Sequence, residues 1–274
     1  MIRAAALALA LAALAAAGGA RALTDPAATA ATVPDWRSLD PQNTLVIDTT
    51  KGRVIVEMAP RIAPLAVARI KALTRRGYYD GSLFYRVLKG YMAQTGDKGS
   101  RTFKSDLPDL KAEFSFQIAS ADYAKTGTVV DGEVGMLGSL PVKTAGGKSW
   151  ALFCPGSAAM PHYDNPDSAN SQLFVMRTIA PALDGTFTVW GRVIQGLGAV
   201  DAIENGEPPA APDRMTRVRV LADMAAAERP ALEVMDARGP AFRALLAKTG
   251  EEKGPYFNLC DVQVPVRPAV SKPG

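Results

Sequence analysis

The sequence is poor in the residues that most enzymes use for covalent or metal chemistry. Its 274 residues hold one histidine, His162, and two cysteines, Cys154 and Cys260. A nucleophilic triad needs a base, which is most often histidine, and a single His with no Ser–Lys signature offers no such set. Transition-metal sites draw on several His or Cys ligands, so no metal is expected. Phosphate loops are also missing. Gly147-Lys148-Ser149 looks like the end of one, but Val142 stands where its first glycine belongs. Gly196-Leu197-Gly198 likewise has Asp201 in place of the third glycine of a dinucleotide loop. The chain has no basic block and no basic–aromatic interleaving, which argues against nucleic acid. These absences leave a binding protein, or an enzyme that works without cofactor, metal or covalent intermediate.

Long apolar runs are confined to the first 22 residues. Arg3 precedes the Ala/Leu run Ala4–Ala17, and Gly18-Gly19-Ala20-Arg21-Ala22 supplies small residues at a cleavage site. Residues 1–22 therefore read as a secretory signal, too short in their apolar part for a span of roughly 20 residues. No later stretch is apolar enough to cross a bilayer, so no membrane span is expected after cleavage. Cleavage would leave 29 Lys plus Arg against 27 acids, a nearly neutral balance. In an exported, periplasmic protein a disulfide between Cys154 and Cys260 fits, and so do two buried thiols.

The rest is ordinary globular composition, 48% apolar and 21% charged. Residues 23–43, rich in Ala, Thr, Asp and Pro, read as a flexible leader. Thr44–Asp48 and Arg53–Met58 flank Thr50-Lys51-Gly52 as a hairpin. A helix follows from Pro64, with Val67, Ile70 and Leu73 at helical spacing and Gly77 to end it. Further strands are expected at Leu83–Leu88, Tyr91–Gln94, Leu173–Met176, Phe187–Val193 and Val218–Ala222, and a short helix at Leu197–Ile203. Residues 98–150 are punctuated by Gly and Lys and resist assignment. The C-terminal extension, 223–274, predicts one helix, Ala231–Lys248, and a strand around Leu259–Val264. It would serve either as a helix packed on the exterior or as a contact for a partner. Many strands with few helices predict a mainly β, closed or sandwiched antiparallel sheet.

Three segments carry a more specific reading. Phe84-Tyr85-Arg86-Val87-Leu88-Lys89-Gly90-Tyr91-Met92-Ala93-Gln94-Thr95-Gly96-Asp97 resembles the cyclophilin signature F-x-R-V-I-x-G-F-M-x-Q-x-G-D. Met160 through Val175 resembles the bacterial form M-A-R-x-x-D-P-D-S-A-T-S-Q-F-F-I, and Leu183-Asp184-Gly185 through Gly191-Arg192-Val193 resembles L-D-G…F-G-x-V. The resemblance covers roughly residues 43–222. It implies an isomerase domain at 44–222 folded as an eight-stranded antiparallel β-barrel closed by two capping helices. The implied activity is peptidyl-prolyl cis-trans isomerisation on proline-containing polypeptides, without cofactor. Arg86 would be the catalytic donor, with Gln94 orienting it and bonding the substrate backbone. Met92, Phe174 and Leu183 would form the apolar cup, lined by Tyr91 and Phe187. Phe84 would share the face of Arg86, with Tyr85 and Val87 on the other. Pro161 and His162 would meet the substrate through their backbone, although Pro161 has no N–H to give. Ala182 stands where cyclosporin-sensitive members carry Trp, and Phe187 where many carry His or Tyr. The alternative function is a proline-peptide binding or holdase module with little turnover.

Overall fold

The computed structural model describes residues 33–97, 104–118, 122–129 and 131–269. The predicted signal peptide and the leader as far as residue 32 lie outside the described residues.

Along the chain run β1 (Trp36–Ser38), β2 (Thr44–Thr49), β3 (Gly52–Met58), α1 (Pro64–Arg75), β4 (Arg86–Leu88) and β5 (Met92–Thr95). Then come β6 (Tyr123–Val129), β7 (Gly132–Leu137), β8 (Leu140–Ala145), β9 (Lys148–Ala151), β10 (Ser157–Met160) and β11 (Leu173–Met176). The remainder is β12 (Thr188–Gln195), α2 (Leu197–Asp201), β13 (Met215–Val220), β14 (Leu232–Met235), α3 (Pro240–Lys253) and β15 (Val266–Pro268).

Eight strands form one antiparallel sheet in the order β13-β2-β3-β12-β10-β11-β5-β4. It curls until its two edges meet. Leu83, just before β4, bridges Arg214, just before β13, and Phe84 N donates to Asp213 O at 2.9 Å. The expected closed barrel is thus a curled sheet whose edges are joined by isolated bridges and loop hydrogen bonds, not by a continuous ladder. Helix α1 covers one opening. Its Ala66, Val67, Ile70 and Leu73 fall on one helical face, so all four reach the main core.

Strand β3 shows why the sequence lacks clean alternation there. Val54, Val56 and Met58 face the main core, while Ile55 on the opposite face joins a second core. A strand covered on both sides reads as a continuous apolar run. That second core, with Leu39, Met136, Val234, Phe242 and Val262, is built largely by the C-terminal extension. The extension is therefore packed onto the exterior of the curled sheet through α3 and a three-stranded sheet of order β1-β14-β15. Part of the expected leader, Trp36–Ser38, supplies its first strand.

Two elements differ from expectation, and one unassigned region takes a definite form. The helix expected at Ala231–Lys248 begins at Pro240, because Leu232–Met235 pairs with both β1 and β15 and Pro240 starts the helix at its first position. The strand expected around Leu259–Val264 is a 3₁₀ turn at Leu259–Asp261, capped by Asn258, and the strand follows at Val266. Within the unassigned region, residues 123–151 form a four-stranded meander, β6-β7-β8-β9. Its turns at Gly138-Ser139 and Gly146-Gly147 are two-residue, glycine-led hairpin turns, and its strands are too polar on one face to register as a pattern.

Cys154 and Cys260 form a disulfide across 106 residues. Nearby, Arg192 is 1% exposed and donates to Ser139 O at 2.9 Å and Val262 O at 3.3 Å. Burial pushes its pKa down to about 10, so the guanidinium stays charged while joining β12, the meander and the extension.

Candidate active site

The hairpin β4–β5 places Arg86 directly opposite Gln94, and Gln94 in turn stands opposite Phe174 on β11. Residues opposite each other across antiparallel strands project to the same face, so Arg86, Gln94 and Phe174 form one row. The eight-residue spacing between Arg86 and Gln94 is therefore a register relationship set by a tight hairpin.

The face assignment expected for Phe84 and Tyr85 does not hold. Tyr85 N donates to Gln94 O at 3.2 Å, although Arg86 is also paired with Gln94. Two residues oppose one, as in a bulge, and alternation breaks at that point. Phe84 turns into the main core, 4% exposed, and Tyr85 joins Arg86 at the side chain of Gln94.

The resulting network is specific. Gln94 Nε2 donates to the Tyr85 hydroxyl at 2.6 Å and to Gln172 Oε1 at 2.8 Å. Tyr85 donates its own hydroxyl proton to Gln172 Oε1. Burial raises the Tyr85 phenol above its ordinary value, so it remains a donor across the working pH range. Gln94 Oε1 then accepts from Arg86 Nη1 at 3.4 Å. On the other side, Arg86 Nε donates to Glu207 Oε1 at 2.7 Å.

Arg86 and Gln94 open onto a cleft of about 300 Å³ lined also by Lys104, Pro161, His162, Ser168, Gln172 and Phe187. Five sequence-predicted residues thus meet at one cleft: Arg86, Gln94, Pro161, His162 and Phe187. Behind it sits an aromatic cluster. Phe187 packs edge-on to Phe174 at 5.7 Å between ring centroids and 4.6 Å from His162, and Phe174 stacks on Phe153 at 6.1 Å. Phe174 and Met92 are buried at 5% and 3% exposure in the main core, so they form the floor under Phe187 and not its open surface. Tyr91 and Leu183 are partly buried against the same core and do not line the cleft.

His162 is fixed in the wall. Its ring nitrogens meet the carbonyl oxygens of Tyr163 at 2.6 Å and Thr186 at 2.9 Å. Asp184, of the third motif, accepts the Phe153 N–H at 2.8 Å and so holds the aromatic floor. Its own burial raises its pKa to about 6.

Sequence reasoning missed Tyr85 as a partner of Gln94, Phe153 in the floor and Glu207 beside Arg86. Gln172 lay within a quoted motif, but its contact with Gln94 spans 78 residues. Glu207 carries no pattern at all in a Gly/Pro-rich loop.

Comparison with known proteins agrees with this geometry. The family model "Cyclophilin type peptidyl-prolyl cis-trans isomerase/CLD" matches residues 44–220. A probable peptidyl-prolyl cis-trans isomerase of Brucella suis is 34% identical over 201 residues, spanning 67% of this chain and 85% of the Brucella protein. The human peptidyl-prolyl cis-trans isomerase-like 1 is 31% identical over 176 residues, spanning 64% of this chain and 85% of the human one. Among solved structures, the cyclophilin AquaCyp293 from Hirschia baltica is 32% identical with a TM-score of 0.78, covering 87% of this chain and 95% of that one. That share is larger than residues 44–220 alone, so the likeness extends beyond the family domain. With its curled eight-stranded sheet and its arginine–glutamine row, the chain belongs to the cyclophilin-type peptidyl-prolyl cis-trans isomerases.

Proposed function

We propose that the protein is an exported isomerase that assists the folding of exported proteins, and that Arg86 stabilises the twisted X–Pro bond. Rotation about a peptide bond must break amide resonance, at a barrier of about 18–20 kcal/mol. In the twisted state the proline nitrogen becomes pyramidal and regains a lone pair. A fixed N–H donor aimed there binds the twisted state better than either planar one, which is the condition for catalysis without proton transfer. Guanidinium suits the task because it is permanently charged and its N–H groups form a rigid fork. A hundred-thousandfold acceleration corresponds to about 7 kcal/mol. One charged donor supplies part of this, and seating the ring against Phe187 and its aromatic floor supplies the rest.

The observation that carries this reading is the placement of Arg86 opposite Gln94 at the mouth of a cleft whose far wall is Phe187 and His162. The export signal read in residues 1–22 and the Cys154–Cys260 disulfide support a role outside the cytoplasm, where disulfides persist. One observation favours weaker turnover. Both N–H groups of Gln94 Nε2 are taken by Tyr85 and Gln172, so Gln94 acts on a substrate through Arg86 unless that network opens. A protease-coupled assay on an X–Pro peptide separates enzyme from binding module. Arg86→Ala is expected to lose about a hundredfold in kcat/KM, the loss typical of one preorganised donor. Equal rates for wild type and variant would remove Arg86 from the mechanism, and a wild type no faster than the uncatalysed reaction would leave only proline-peptide binding.

A further inference from the structure

Glu207 holds the side of Arg86 that Gln94 does not. Nε is bound by Glu207 at 2.7 Å and Nη1 by Gln94 at 3.4 Å, and among the described residues Nη2 has no hydrogen-bond partner. The pair is half exposed, 35% for the Arg86 side chain and 57% for Glu207. Ion pairs of that kind contribute little to stability. Its geometry, by contrast, is built with care. Gly206 and Val87 exchange two backbone hydrogen bonds, at 2.8 and 2.9 Å, which pins the loop to β4 one residue from both members of the pair. Gly206 adopts φ +152°, and a Cβ there would lie 2.4 Å from the Cα of Pro209, so only glycine permits this approach. The loop is fastened twice more. Glu204 N donates to Asp213 Oδ2 at 2.8 Å, and Arg177 Nη1 donates to Asn205 Oδ1 at 2.9 Å.

We infer that Glu207 is a positioning residue for the isomerase reaction: it clamps the Nε edge of Arg86 so that Nη2 is the donor presented to the substrate. An arginine side chain is long and has much rotamer freedom to lose. Two-point restraint, at Nε and Nη1, removes most of that freedom before substrate arrives. Catalytic rate is sensitive to this kind of orientation, whereas ground-state binding in the apolar cleft is not. The clamp therefore acts on kcat. This inference rests on the proposed role of Arg86.

The test resolves kcat and KM separately for wild type, Glu207→Ala, Glu207→Gln and Arg86→Ala, with a melting curve for each. Glu207→Ala is expected to lower kcat about five- to tenfold, with KM within about twofold and an unchanged melting temperature. Glu207→Gln keeps an oxygen for the Nε–H and is expected to recover kcat to within about twofold of wild type. A kcat for Glu207→Ala equal to or above that of wild type would overturn the clamp, as would a glutamine variant no better than alanine. Arg86→Ala separates the two failures. If it turns over like wild type, the role of Arg86 itself falls; if it is impaired while Glu207→Ala is not, only the role of Glu207 falls.

Discussion

The carboxylate of Glu113 caps helix α1 from 47 residues away, accepting the Ala66 N–H at 2.9 Å and, through its other oxygen, the Leu65 N–H at 2.8 Å. The helix needs this, because its own N-cap residue, Ala63, has no side-chain acceptor. Four N–H groups at a helix start lack intrahelical partners, and the same end attracts negative charge. Glu113→Ala is therefore expected to cost about 1–2 kcal/mol, read as a lower denaturant midpoint at unchanged slope. An unchanged midpoint would show that water replaces the carboxylate without loss.

Tyr85 ties Gln94 to Gln172 and so indirectly holds Arg86. Tyr85→Phe removes one hydroxyl that both accepts from Gln94 and donates to Gln172. A hydrogen bond of this kind contributes about 0.5–1.5 kcal/mol, which predicts a fall in kcat/KM of about threefold to tenfold. The ring stays, so the fold should stay with it. A variant with full activity would mean that Gln94 needs only Gln172 to hold its orientation.

Asp184 makes stability depend on pH in an unusual direction for a carboxylate. Burial disfavours its charged form, and its folded-state pKa of about 6 lies above the ordinary 3.8. The folded protein thus binds the proton more readily than the unfolded chain does. Its contribution improves as pH falls from about 6 towards 4, and the cost is fully present above 6. Asp184→Asn keeps an Oδ1 acceptor for the Phe153 N–H and removes the charge. The variant should melt at or above wild type at pH 7.5, with its advantage narrowing as the pH falls to 4.5. A gap independent of pH would show that Asp184 does not titrate in this window.

The Cys154–Cys260 bond closes a long loop and fastens the C-terminal extension beside the aromatic floor of the cleft. Reduction should cost about 2–4 kcal/mol, measured as a shift of the denaturant midpoint on adding reductant. The double variant Cys154→Ser/Cys260→Ser should start at the reduced midpoint and ignore reductant. A wild-type midpoint indifferent to reductant would count against the bond as a source of stability.

Much of the site was legible because it is local. Arg86, Gln94 and the hairpin between them occupy nine residues, and the tight hairpin fixes their pairing. Phe174, Pro161, His162 and Phe187 sit in two further short motifs whose strands are neighbours in the sheet. The remainder depended on long-range contacts that leave no periodic trace. Glu207 reaches Arg86 across 121 residues, brought there by the Gly206–Val87 bridge and the loop's other long-range bonds. Tyr85 escapes strict alternation because two residues oppose Gln94 there. The outer sheet and α3 were blurred for another reason. Leu232–Met235 is apolar enough to read as the start of the helix that follows, and its pairing partners, β1 far upstream and β15 beyond the helix, decide that it is a strand.

Those partners also impose an order of events. The three-stranded sheet takes its strands from residues 36–38, 232–235 and 266–268. A chain growing from its N-terminus has β3 and the meander in hand long before it has β14, α3 and β15. Until the last of these is made, Ile55 and Met136 lack the part of their cover that Val234, Phe242 and Val262 supply. The C-terminal extension thus covers the outer face of the curled sheet, and a chain cut short before β14 would leave part of an apolar strand face open to association.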